Sequence, residues 1–339
     1  MPDPRLALAC VLARPDGGRR ARETARALLA AGDPEADAAV AAAFGERVGA
    51  TEVALARLGW RWLAADEPGF PARLAAVADP PLGVFVRGEL PDARAVALVG
   101  ARRATTYGRE VAEYLGHELG DAGVAVVSGM ARGVDAAAHR GALAARGRTV
   151  AVWGAGPDRV YPPEHDRLAE EIAASGCLLT EYPPGSPPLA HHFPERNRII
   201  AGLAEALVVV EADERSGALI TARLALDEGR DVLAVPGSVF SRLSAGPNGL
   251  LRAGAAPVLS ADDVLAVLGL PPRHPAAGGE EEPALLALIP AGEATTVDHL
   301  AAASGQPIAR VLEELLALEL AGRVAREADG RYRRSRLTA

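Results

Sequence analysis

The chain has 339 residues and a formal net charge of -8. That length allows two or three domains with a sizeable core, and the net charge excludes a uniformly basic, histone-like polyanion binder while leaving room for a local basic groove. All 36 basic residues are arginine, so a Walker A lysine is excluded and any phosphate contact must use a planar, bidentate guanidinium.

Two cysteines, Cys10 and Cys177, stand far apart and in no metal-type spacing, which points to a reducing compartment and away from a disulfide framework. Residues 1–65 are rich in Ala, Arg and Leu with helical periodicity. Glycines at 17–18, 32, 45, 49 and 59 break the pattern, so a small bundle of short helices is expected. LALACVLA (6–13) reads as an amphipathic helix: it is too short for a signal-peptide core and lacks an A-x-A exit. No run approaches the roughly 18 apolar residues of a spanning helix. A soluble, cytoplasmic protein is expected. Residues 66–95 read as a Pro-punctuated connector with one short strand, GVFVRG.

From 96 to 268 short apolar runs alternate with helix-like stretches: AVALVG (95–100), VAVVSG (124–129), TVAVWG (149–154), CLLTEY (177–182), ALVVVEA (206–212), DVLAVPG (231–237) and APVLS (256–260). Continuous apolarity marks strands buried on both faces, and the spacing is that of βαβ units. The expected fold is α/β, a Rossmann-like doubly wound parallel sheet over 66–268. A linker is expected over 269–283, and a winged-helix-like domain over 284–339, with two helices separated by SGQP and a hairpin in GRVAREADGRYRR.

Ligands of open α/β sheets bind at the carboxyl ends of the strands, so the segments after each strand carry the candidates. In VGARRATTYGRE, Arg102 and Arg103 precede a helix start near Thr106, which suits an anion. In SGMARGVDAAAH, Ser128, Gly129 and Arg132 could cradle a phosphate, with Asp135 as the N-cap of the next helix and His139 as a structural hydrogen-bonder. After the third strand, Tyr161 could stack on a base or pack under its loop. HHFPERNR gathers His192, Phe193, Arg196, Asn197 and Arg198 into one stretch. Phe193 offers a stacking face worth roughly 1–3 kcal/mol per base, and the arginines offer salt-sensitive phosphate contacts. The alternative is that Arg196 and Asn197 satisfy the loop's own carbonyls. Zinc is not expected, because His191 and His192 lack partners at metal spacing. Ser216, Gly217 and Thr221 surround a further helix start. Arginines and small residues on several strand ends suit a long polyanion, and no nucleophile–base pair or carboxylate dyad is evident.

These blocks, in order, resemble the DNA-processing protein A family (DprA, also called Smf): VGARRATTYGREVAEYLGHEL, SGMARGVDAAAHRGAL, YPPEHDRLAEEI, EYPPGSPPLAHHFPERNRIIAGL, VVVEADERSGALITARLALDEGRDVLAVPGS and GPNGLLRAGA. The resemblance covers about 66–268. The amino-terminal helices are similar to the family's sterile-alpha-motif-like or helix-hairpin-helix module, and the carboxyl unit to its winged helix. It implies a homodimeric, non-enzymatic recombination mediator without cofactor, which binds single-stranded DNA in a basic pocket and helps load the RecA recombinase, notably in natural transformation. By position, it implies Arg102 as the loop arginine, backbone donors at Ser128 and Gly129, and a pocket lined by Tyr161, Pro162, His192, Phe193, Arg196, Asn197 and Arg198. Leu250 and Leu251 are candidates for the dimer surface or for ordinary core. Ala101 stands where the family has serine, and Pro163 or Glu164 where some members carry a basic residue.

Two other classes compete. A phosphoribohydrolase-like nucleotide hydrolase would carry a P-G-G-x-G-T loop, where this chain has PGS (236–238) and ERSGALIT. A transcription regulator would read DNA with PIARVLEELLALELAG, a helix with one arginine and three glutamates that suits a major groove poorly.

Overall fold

The computed structural model describes residues 3–13, 18–273, 283–290, 293–320, 323–327 and 329–334. Most of the expected linker, 274–282, lies outside them. The described chain forms two compact units that divide at Pro271/Pro272.

The first unit opens with helices α1 (Pro4–Ala13), α2 (Arg19–Ala31) and α3 (Pro34–Leu58). Asp33 caps α3 by accepting from the Glu35 amide, and Pro34 takes the first helical position, where no amide partner is needed. The expected breaks at Gly45 and Gly49 do not occur. Both glycines lie inside α3 with open space, among the described residues, where a Cβ would stand, and the alanines and glutamates around them carry the helix through. Gly32 and Gly59 do end helices, in the left-handed region.

Strand β1 (Arg61–Ala64) follows and lies inside the stretch expected to be helical. After the short helix α4 (Ala72–Ala75), β2 (Gly83–Gly88) pairs antiparallel with β1, so the expected connector is part of the sheet. Then come β3 (Ala95–Val99), α5 (Thr106–Asp121), β4 (Ala125–Ser128), α6 (Val134–Ala144), β5 (Thr149–Trp153), α7 (Asp166–Ser175), β6 (Cys177–Thr180), α8 (His192–Leu203), β7 (Ala206–Val209), α9 (Gly217–Asp227), β8 (Asp231–Ala234), α10 (Ala245–Arg252), β9 (Ala256–Pro257) and α11 (Ala261–Val267). The nine strands lie in the order β1-β2-β6-β5-β4-β3-β7-β8-β9, parallel from β6 to β9. Only β1 and β2 at one edge run antiparallel to their neighbours.

Both faces are covered, as the apolar runs require. Val96 and Leu98 of β3 pack with α5, α6 and α11, while Ala95, Ala97 and Val99 pack toward α4, α8 and α9. Leu8, Leu12, Val48 and Leu55 of the amino-terminal helices share a cluster with Phe85, Trp153 and Leu178 of the sheet. These helices therefore have no separate core. Helices α5 and α6 touch backbone to backbone: a Cβ on Gly116 would come 2.3 Å from the Ala138 carbonyl, and one on Gly141 2.0 Å from that of Glu113. Leu250 of α10 packs half-buried against the core under α9, and Leu251 beside it is half-buried.

The second unit holds α12 (Ala284–Ala287), β10 (Ala294–Thr295), α13 (Val297–Ser304), α14 (Ile308–Leu320), β11 (Val324–Arg326) and β12 (Tyr332–Arg334), with sheet order β10-β12-β11. Leu285, Ile289, Leu300, Val311, Leu315 and Tyr332 form its own core. The helix pair and the hairpin make the expected winged helix.

Candidate nucleic-acid interface

Strand order reverses between β3 and β7, whose carboxyl ends part to leave a crevice. A cleft of about 500 Å³ opens there. Val99, Gly100 and Arg102 enter it from the end of β3, and Ala131 and Asp135 from the turn after β4. Tyr161 comes from the loop after β5, Phe193, Arg196 and Asn197 from α8, and Ser216, Gly217 and Thr221 from the start of α9.

The stretch HHFPERNR forms the first two turns of α8, not a loop. Helical spacing sends Phe193, Arg196 and Asn197 (i, i+3, i+4) to the cleft. The Phe193 ring lies 5.4 Å from that of Tyr161, and the Arg102 guanidinium sits over Phe193 at 4.9 Å. An exposed cation and two aromatic rings thus stand together at one opening.

Arg196 is buried, and its Nη1 donates to the Val152 carbonyl at 3.0 Å. Among the described residues its Nε has no hydrogen-bond partner. Burial pulls this guanidinium down to about 10, against the opposing pull of Asp135. Gly129 makes room for it: a Cβ there would fall 1.6 Å from Nη1. Asn197 donates to the Gly217 carbonyl at 3.3 Å, tying α8 to the start of α9. Arg196 and Asn197 do satisfy backbone carbonyls, although those of neighbouring elements, and both still line the cleft.

Asp135 and Glu211 are the residues that sequence reasoning undervalued. Asp135 is not the cap of α6; Gly133 holds that position. From the first turn its Oδ2 accepts from the amides of Gly129 and Ala131, at 3.2 and 3.3 Å. Burial raises its carboxyl above the usual range, with Arg196 pulling the other way. Glu211, buried after β7, accepts from the Thr105 amide at 2.8 Å and the Thr105 hydroxyl at 2.5 Å. Of the three strand-end sites expected to hold an external anion, the turn after β4 is taken by Asp135, and at the start of α5 Glu211 holds the capping Thr105. The third, α9, is capped by the Ser216 hydroxyl and opens on the cleft. An acidic residue just past a strand end was the available signal for Glu211, and one in the first turn of the following helix for Asp135.

The remaining candidates lie elsewhere. The Gly129 amide is taken by Asp135, so it is not the expected free donor; the Ser128 hydroxyl donates inward to the Leu98 carbonyl, and its backbone lies in β4 opposite Ala151 of β5. His192 is buried, bonded to the Gly154 carbonyl and stacked on Tyr182 at 3.9 Å. Arg198 points away from the cleft into an ion-pair network with Asp79 and Glu181, which Arg22 of α2 joins. Burial pushes the Asp79 carboxyl up, but its hydrogen bond from Arg22 and the charge of Arg198 outweigh that and leave it low. Pro162 is buried, and Arg103 is exposed outside the cleft. Arg132 is exposed and paired with Glu164. Among the described residues, no group of three or more His, Cys, Asp or Glu could hold a metal ion, and no helix is long and apolar enough to cross a membrane.

The family model for DNA recombination-mediator protein A matches residues 61–269, well over half the chain. The chain belongs to that family. The model of the DprA winged helix domain matches residues 270–330. Protein Smf of Escherichia coli is 39% identical over 285 residues, which cover 79% of this chain and 76% of that protein. The putative DNA processing protein DprA of Mycobacterium tuberculosis is 47% identical over 250 residues, 71% of this chain and 64% of the relative. The structure of DprA from Streptococcus pneumoniae aligns with a TM-score of 0.61 at 35% identity, over 78% of this chain and 93% of that one. That of DNA processing protein A from Helicobacter pylori, described for its single-stranded DNA binding mode, aligns at 0.55 and 28% identity, over 62% and 95%. The family's fold is the one built above, including the carboxyl winged helix.

Proposed function

We propose that the cleft binds single-stranded DNA, and that the chain acts in the cytoplasm as a homodimeric recombination mediator that helps load RecA onto that strand, as in natural transformation. The observation that carries this reading is the grouping of Arg102, Phe193 and Tyr161 at the mouth of a cleft whose floor holds Arg196. Aromatic faces accept any base, and a guanidinium beside them meets the phosphate. A duplex keeps its bases stacked inside and cannot use those faces. The single-strand binding described for the Helicobacter pylori relative supports the reading. For the dimer we favour the surface around Leu250 and Leu251, where a depression of about 380 Å³ is lined by Leu219, Leu226 and Leu250. No chemical turnover is part of the proposal.

Fluorescence anisotropy with labelled oligo-dT and a matched duplex, at two salt concentrations, tests it. The wild-type chain should prefer the single strand and weaken as salt rises, and Arg102→Ala should lose about tenfold or more, as expected for a cation and its stack. Equal affinity for single strand and duplex, or an unchanged Arg102→Ala, would refute the reading.

A further inference from the structure

The helix of the winged unit that would enter a DNA groove is α14, and its apolar surface runs on past the part that meets the unit's core. Val311, Leu315 and Leu318 face the unit's core. On the flank beside them Ile308, Leu312, Leu316 and Leu320 are 51, 44, 56 and 82% exposed. They recur every four residues and form one ridge along the helix. The exposed Ala309 and Ala317 leave low ground beside it. A surface helix ordinarily turns charged or polar residues outward, so this ridge calls for a cover.

The charges around the ridge select its occupant. Glu313, Glu314 and Glu319 lie along α14, and its one arginine, Arg310, is held by Glu313 at 3.2 Å and Glu314 at 3.7 Å. A polynucleotide or an anionic lipid surface would meet carboxylates there. A second copy would set the same carboxylates against each other. A helix with apolar anchors at i, i+3, i+4 and i+7 and basic flanks meets both the ridge and the rim. We infer that the outer face of α14 docks a basic amphipathic helix of a partner protein. The inference rests on α14 alone and does not depend on what the cleft binds.

The test uses the full chain and two labelled synthetic helices, one of leucine and lysine at amphipathic spacing, the other with glutamate in place of lysine. The basic helix should bind and the acidic one should not. Leu316→Glu should weaken the basic helix by about tenfold, the effect of a central anchor, with melting temperature and oligo-dT affinity unchanged. Glu313→Arg combined with Glu319→Arg should weaken the basic helix and admit the acidic one. Glu46→Arg, on the exposed side of α3, should change nothing. The proposal fails if Leu316→Glu leaves binding intact, or if Glu46→Arg weakens it as much as the paired reversal does. It also fails if Leu316→Glu halves the sedimenting mass without any peptide, because the occupant is then a second copy.

Discussion

Gly129 and Arg196 show how closely the cleft is fitted. A methyl group on Gly129 would fall on the guanidinium, 1.6 Å from Nη1 and 2.4 Å from Cζ. Arg196 would have to leave the Val152 carbonyl, and its buried charge would lose its place. Gly129→Ala is therefore expected to cut single-strand affinity by about tenfold or more, roughly the 1.5 kcal/mol that a hydrogen bond from a charged group is worth. Gly217→Ala is the control, because Gly217 lines the same cleft with open space at its Cα and a helical backbone. Anisotropy on the two variants separates a fitted floor from a tolerant one, and equal losses would contradict the role given to Gly129. The sequence showed that HHFPERNR was rich in charge and aromatics, and that richness does meet in the fold. What it hid was the division of labour, because a stretch read as loop has no faces. Once it is helix, Phe193, Arg196 and Asn197 share one side, while Arg198 turns to Asp79 and Glu181.

At the level of elements, the strands were legible because each is an apolar run buried on both faces. Strand β1 was not, since RWLA follows a long helical segment and only its pairing with β2 makes it a strand. The filled start of α5 was hidden for a similar reason: Glu211 lies 106 residues from the Thr105 amide it accepts from. Helix α6 is also fastened to the sheet by His139, whose Nδ1 lies 2.7 Å from the Thr149 hydroxyl that donates to the Val126 carbonyl. Burial, and then the charges of His165, Arg196 and Arg140, lower His139 from 6.5 to about 3. Between those values the unfolded chain takes up a proton that the folded chain refuses. The stability tied to neutral His139 is thus complete above pH 6.5 and falls as pH drops toward 3, by at most about 1.4 kcal/mol per pH unit. From pH 6.5 to 5 that amounts to about 2 kcal/mol. Denaturant titrations at pH 7, 6 and 5 should show this decline in the parent and a flatter profile in His139→Gln. Parallel profiles would assign the acid sensitivity to other groups.

Over the whole molecule, a chain of net charge -8 must hold a polyanion with a local field that its overall charge opposes. The total is therefore a poor guide, and single charges at the cleft should matter more than charges elsewhere. Glu164 is the acidic group to examine. It follows the loop of Tyr161, which lines the cleft, and it holds Arg132 in an ion pair. The hydrogen bond from Arg132 lowers its carboxyl, so it stays ionised wherever the protein is handled near neutrality. Arg132 is thereby withheld from any phosphate passing along the strand ends. Glu164→Gln removes the negative charge and releases Arg132, adding about one phosphate contact. For single strands each such contact steepens the dependence of log K on log salt by about 0.7. The variant should bind oligo-dT more tightly at low salt, with a slope steeper by about that amount, so that its advantage shrinks as salt rises. Glu46→Gln changes the net charge equally on the exposed side of α3, where no cleft residue lies. It should alter neither affinity nor slope. If the two substitutions act alike, the polyanion responds to the charge of the body as a whole and the localised strand-end track is wrong. If only Glu164→Gln acts, the track runs past Tyr161 to the loop carrying Arg132.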